Sequence, residues 1–302
     1  MIICNDLSKF LLHDIDLHIP QGITLGIIGA SGSGKTTFLK LVSGLLQPES
    51  GTIYTLRKNP VEGQKNIAGR IAVLYADIPV YDERLTIADS LDEIRLMYGI
   101  KKNDFQERLN HVTSVLGFAG ILHSKPKDLS LGQKRRAELG MVFLRDADLY
   151  LFDEPCIGLD QNGKAAFYSL VKEKQNEGKT VLISSHSMED ISTIAERVLL
   201  FDQGKVAFYG SKEELYKRLS PMQTGYVEFD GKIPDVSDLE IESYSVENGR
   251  MSFRYNSNHV SSKELLMRIN HTTNVKSVAL HKASLAESIY GIKKNNDMEV
   301  EN

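Results

Sequence analysis

Only two cysteines, Cys4 and Cys156, occur in this chain of 302 residues. Their number and spacing suit neither a disulfide framework nor a metal site, and they read as ordinary buried thiols in a reducing compartment. No run approaches the roughly 18 consecutive apolar residues that a membrane-spanning helix needs. The opening MIICNDLSKF lacks a basic region followed by an apolar stretch, which argues against a secretion signal. A basic excess is missing as well: the formal net charge is -4. A duplex-binding protein usually shows such an excess or a basic stripe, so nucleic acid is not an expected partner. Internal repeats and low-complexity tracts are also absent. What remains is a cytoplasmic protein that would touch a membrane only through a partner. With 41% hydrophobic and 25% charged residues it has the balance of a globular protein with a real core.

The length allows one ordinary domain plus a small one. Short apolar runs at Ile23 to Ile28, Ile71 to Leu74, Leu149 to Phe152 and Thr180 to Ile183 look like buried parallel strands. Each is followed by polar or Gly-rich residues and usually by a helical pattern, which predicts an α/β core with a mostly parallel sheet. In such sheets ligands bind at the carboxyl ends of the strands. Between about Thr86 and Arg145 apolar residues recur at helical spacing, predicting a helical insert, with Ser130 as the N-cap of its last helix. The composition shifts again near Ser220-Pro221. Strands are expected at Tyr226 to Phe229, Leu239 to Val246 and Met251 to Tyr255, and capping boxes at Ser261 to Glu264 and Ser284 to Glu287. The expected domains are 1-218, with the helical insert at about 86-145, a small α+β domain at 221-291, and a polar tail at 292-302.

The first run leads directly into Gly29-Ala30-Ser31-Gly32-Ser33-Gly34-Lys35-Thr36-Thr37. Strand, Gly-rich loop, Lys, Thr and helix form the phosphate-loop pattern in full. Glycines let the backbone N–H groups converge on phosphates, and the following helix adds its positive end. Lys35 supplies a point charge for the β and γ phosphates of ATP, and the Thr36 hydroxyl can coordinate Mg²⁺. The strand Leu149 to Phe152 ends in Asp153-Glu154. A carboxylate just past a buried strand and facing a phosphate loop is placed to hold Mg²⁺, which is the role expected of Asp153. Glu154 could polarise the attacking water as general base. The next strand runs into Ser184-Ser185-His186, where His186 can reach the γ-phosphate and hold the water and Glu154 in line.

With Leu129-Ser130-Leu131-Gly132-Gln133 added in this order, residues 1 to about 215 resemble the ABC transporter ATPase family. Leu131 replaces one glycine of that family's signature. The resemblance implies a P-loop NTPase core of ABC type with a helical signature subdomain. It implies that Ser130, Gly132 and Gln133 contact the γ-phosphate of ATP held by a second subunit, with a helix N-terminus as the physical basis. Asp160 matches the loop that links the two sites, and Phe10 the aromatic that stacks on adenine. A homodimer or a paired ATPase subunit is implied, working with integral membrane permease subunits from the inner face of the cell membrane. One departure stands out: the segment after Leu74 reads Tyr75-Ala76-Asp77, with Ala76 where the family usually has a Gln that touches Mg²⁺ and the water. This departure implies either that Asp77 substitutes through water or that hydrolysis is slow. The loop Asp77 to Arg84 and the helix near Thr86 to Arg95 would form the docking groove. The C-terminal part resembles the accessory domain of bacterial export ATPases, its ending Ala283 to Tyr290 echoing their closing helix. Two alternatives stay open: a non-transport ABC ATPase, although this chain has one cassette and no heptads, or a regulatory subunit with weak hydrolysis.

Overall fold

The computed structural model describes residues 1–218, 222–247 and 249–282, which divide into two compact units, Met1–Leu215 and a second from Tyr216 onward. In the first unit, strands β1 (Ile2–Lys9) and β2 (Leu12–Ile19) form a hairpin. Strand β3 (Thr24–Ile28) leads to helix α1 (Lys35–Val42), and β4 (Ser50–Thr55) follows. A short helix α2 (Gln64–Ile67) precedes β5 (Ile71–Leu74). Then come α3 (Ile87–Met97), α4 (Lys102–Leu116) and α5 (Leu131–Phe143). The chain continues through β6 (Leu149–Asp153), α6 (Gln161–Asn176), β7 (Thr180–Ser184), α7 (Met188–Ile194), β8 (Arg197–Asp202), β9 (Lys205–Ser211) and α8 (Lys212–Arg218).

Two sheets organise this unit. One has the order β5-β6-β7-β3-β8-β9 and is parallel except for the β8–β9 pair. Its inner strands β3, β6 and β7 are buried at every residue, as the unbroken apolar runs require when both faces are covered. The other sheet is antiparallel, β2-β1-β4, with buried and exposed residues alternating along β2. Leu7, Ile15 and Ile53 of this sheet share a core with Leu39 of α1 and with Phe38 and Phe201, whose ring centroids lie 5.4 Å apart. On the helical side Phe143, Phe152 and Phe167 cluster at 5.1 to 6.1 Å. This cluster explains why the second half of α5 is buried all round rather than along one stripe.

The second unit carries β10 (Met222–Asp230), β11 (Ile241–Glu247), β12 (Arg250–Asn256), α9 (Ser262–Thr272) and β13 (Asn274–Lys282). Its antiparallel sheet has the order β11-β12-β10-β13. Alternate residues Met251, Phe253 and Tyr255 of β12 turn inward onto Leu265 and Ile269 of α9. Ser261 caps that helix through the Glu264 N–H. The expected capping box at Ser284, the closing helix to Tyr290 and the tail 292–302 lie outside the described residues. Helix α1 starts at Lys35, with Gly34 as its N-cap. Among the described residues no helix is long and apolar enough to cross a membrane.

Candidate active site

The loop after β3 sits at the carboxyl end of a strand flanked by β7 and β8. Two of its glycines are required by geometry. A Cβ on Gly29 would lie 2.5 Å from the Phe201 carbonyl oxygen, and one on Gly34 would lie 2.4 Å from Leu12 Cδ2; both residues also have positive φ, 154° and 109°. Lys35 is only 7% exposed, and its Nζ donates to the carbonyls of Gly29 (2.9 Å) and Ala30 (3.1 Å). Burial pushes its pKa down, while the charges of Glu154 and Asp153 work the other way. The loop's own carbonyls thus occupy an ammonium that suits phosphate oxygens better. Among the described residues the buried Ser33 Oγ has no hydrogen-bond partner. The loop opens into a cavity of about 460 Å³ lined by Leu11, residues 31–37, Glu154, Ile157 and His186.

Asp153 ends β6 fully buried. Its Oδ2 accepts from Thr36 Oγ1 at 2.8 Å and its Oδ1 from Ser184 Oγ. Register explains this: Asp153 and Ser184 are partners in the β6–β7 ladder. Ser184 also accepts the Glu154 N–H, through Oγ at 3.0 Å and through its carbonyl at 3.2 Å. Glu154 itself has φ 47°, a left-handed conformation that non-glycine residues adopt at a cost, and such strain concentrates at functional sites. Its Oε2 meets His186 Nδ1 at 2.9 Å. Phosphate loop, Glu154 and His186 therefore line one cavity, and Asp153 is tied to its wall from behind through Thr36. Ser184, which sequence reading noted only as part of the run before His186, is the hydroxyl that ties the two acids together.

The remaining candidates stand elsewhere. Ser130 and Gln133 are exposed and engage each other: the Gln133 N–H donates to Ser130 Oγ (3.3 Å), and the Ser130 N–H to Gln133 Oε1 (2.9 Å). Gly132 abuts the turn before α6, where an added Cβ would lie 2.8 Å from the Gly158 carbonyl oxygen. Asp160 caps α6 by accepting the Gly163 N–H (2.7 Å) and also accepts from Arg136 Nη2 (2.5 Å) on α5. None of these four lines the Lys35 cavity. Phe10 is 61% exposed at the tip of the β1–β2 hairpin with Lys9 Nζ 4.5 Å from its ring centroid, and its neighbour Leu11 is the hairpin residue that reaches the cavity wall. Asp77 is paired with Lys40 Nζ at 2.8 Å, which holds its carboxyl below the usual range. Neither it nor Ala76 lines the cavity.

Residues 12–157 match the family model described as ABC transporter. The chain is 28% identical over 216 residues to the ABC transporter ATP-binding protein NatA of Bacillus subtilis, covering 72% of this chain and 88% of the relative. It is 32% identical to the energy-coupling factor transporter ATP-binding protein EcfA2 of Thermotoga maritima, over 71% and 80% of the two chains. It is 30% identical to the glucose import ATP-binding protein GlcV of Saccharolobus solfataricus, over 76% and 65%. A dimeric ATP-binding cassette solved in a post-hydrolysis state with ADP and Pi superimposes with a TM-score of 0.62 at 22% identity, over 70% and 98% of the chains; at that identity it speaks for the fold.

Proposed function

The chain belongs to the ABC transporter ATP-binding family and is an ATPase subunit of that class, and from this premise we propose how its residues divide the work. ATP lies in the Lys35 cavity. The N–H groups of Gly29 to Thr37 and the start of α1 hold its phosphates. Lys35 exchanges its carbonyl partners for the β and γ phosphates, and Ser33 Oγ gains an acceptor. The neighbouring oxygens of Thr36 and Asp153 suit Mg²⁺, a hard cation that takes oxygen ligands and would neutralise phosphate charge. Glu154 takes the proton of the attacking water as its oxygen bonds to the γ-phosphorus and the β–γ bridge breaks. His186 keeps Glu154 and that water aligned. Phe10 offers its exposed ring to the adenine.

Ser130, Gly132, Gln133 and Asp160 act on the nucleotide of a second copy, so that two sites close between two chains related by a two-fold axis. We read residues 1–218 as the ATP-binding domain, with 86–145 as its signature insert, and 221–291 as an accessory domain. The dimer drives integral membrane subunits from the inner face of the membrane, through the loop 77–84 and α3. We read the direction as outward, on the resemblance of the C-terminal part to the accessory domain of export ATPases. Relatives named for import leave this to a physiological test: loss of an exporter sensitises cells to its cargo, whereas loss of an importer limits growth on a nutrient.

The observation that carries the reading is the 2.9 Å contact of His186 with Glu154 on the wall of the phosphate-loop cavity. Glu154→Gln should lower steady-state phosphate release by about 10²- to 10⁴-fold while nucleotide binding persists. Turnover equal to the parent's removes Glu154 from the role of base. A slower, regulatory enzyme is the second reading, favoured by the commitment of Asp77 to Lys40 beside Ala76. Nucleotide binding by the parent with phosphate release no faster than that of ATP in buffer alone would establish it.

A further inference from the structure

A buried carboxylate near the cavity is left unused by this scheme. Asp190, four residues after His186 in α7, is 4% exposed. Its Oδ1 accepts from the Tyr168 hydroxyl at 2.6 Å and from Lys164 Nζ at 2.8 Å. Its own N–H is capped by Ser187 Oγ at 3.2 Å. Lys164 and Tyr168 are four residues apart and so share one face of α6. The buried Cys156 lies two residues beyond Glu154, and burial pushes its thiol pKa up to about 12. The His186 segment is therefore held at two points: at Glu154 through its own imidazole, and at α6 through Asp190.

The two helices involved are unequal. Helix α7 has 7 residues, too few to hold its own conformation without anchors, whereas α6 has 16 and buries Phe167, Leu170 and Val171. A carboxylate this deep persists only when paired, and both its partners stand on the long helix. Resting on the reading that Glu154 and His186 act on the attacking water, we propose that Asp190 is a positioning residue: it ties the His186 segment to α6 and so sets the imidazole against the Glu154 carboxylate. The same α6 begins at Asp160, which is bound to Arg136 of α5, so one helix face connects the signature helix to the histidine.

The test is steady-state ATP turnover of the full chain, with nucleotide affinity and melting temperature measured alongside. Asp190→Asn keeps the shape and removes the charge. It should lower kcat by about 10- to 100-fold, the scale of a small misplacement of a reacting group. KM and nucleotide affinity should stay within about 3-fold, because the phosphate loop is untouched. Asp190→Glu, which keeps the charge, should recover part of the loss. If Asp190→Asn does not fold, Tyr168→Phe, which removes one hydrogen bond and leaves the Lys164 pair in place, should lower kcat in the same way to a smaller degree. A kcat within about 2-fold of the parent, or a loss of kcat and affinity together in step with the unfolded fraction, overturns the proposal. His186→Ala and Glu154→Gln run in parallel separate the two levels. If both keep full turnover, the reading beneath is wrong; if both lose it while Asp190→Asn does not, this inference alone falls.

Discussion

The two halves of the candidate machinery are built in opposite ways. Around Lys35 the polar groups converge inward: Asp153 is fully buried, Thr36 and Ser184 hydroxyls fix its two oxygens, and His186 and Glu154 meet on the wall of one cavity. Around Ser130 they face outward. Ser130 and Gln133 are exposed and satisfy each other, Leu131 is 61% exposed, and none of the three lines the Lys35 cavity. A capped helix N-terminus on the surface presents N–H groups to something brought from outside. On the proposed function the first half takes up the nucleotide and the second is covered by another copy, and their opposite construction agrees with that division.

The sharpest way to break this comparison is to remove the charge from the inward half. Lys35→Ala should lose nucleotide affinity by about 10- to 150-fold, the equivalent of roughly 1.5–3 kcal/mol for a hydrogen-bonded charge. Direct nucleotide titration measures this. If affinity is unchanged, the cavity is not where phosphates bind. The outward half should respond differently. Ser130→Ala removes the N-cap of α5 and should cost about 0.5–2 kcal/mol of stability, read by chemical denaturation. Nucleotide affinity of the isolated copy should stay put, whereas nucleotide-dependent dimerisation, followed by light scattering, should weaken. A loss of affinity in the single copy would place Ser130 in its own chain's pocket and erase the distinction.

The inward half was also the more legible in the sequence. Unbroken apolar runs gave β5 to the residue and β6 and β7 to within one position, because strands buried on both faces have no alternation to blur. The phosphate loop could be read because steric limits leave glycine as the residue for Gly29 and Gly34. The antiparallel strands β1, β2 and β4 escaped notice: their bulges interrupt the period-two pattern between Cys4 and Leu7 and between Asn5 and Ser8. Strand β13 escaped as well, since Asn274 to Lys282 is largely polar or exposed and takes its partner from distant β10. Ser184 was legible as a residue but not as a hub, because its bonds to Asp153 and Glu154 follow from ladder register, which one sequence does not display. The tie between Asp77 and Lys40 is hidden for the same reason, with 37 positions between them.

The smallest expected effect tests the seam between the halves. Asp160 accepts from Gly163 N–H and from Arg136, and these hydrogen bonds, the backbone one first, hold its carboxyl below the usual range. A carboxylate depressed in the folded state adds stability that is fully present above its unfolded value and is lost as pH falls through the folded one. Asp160→Asn keeps an oxygen for the Gly163 N–H and surrenders only the charge that Arg136 meets. The variant should be slightly less stable than the parent near neutral pH. The gap should hold down to about pH 5, begin to close below about 4 as the unfolded chain's carboxyl is protonated, and vanish once pH has fallen through the depressed folded value. Denaturation midpoints of the two proteins across that range decide it. A gap that ignores pH would mean that the shape of the cap, not its charge, joins α6 to α5; the outward half would then depend on packing at Gly132 and Gly158 rather than on an ion pair.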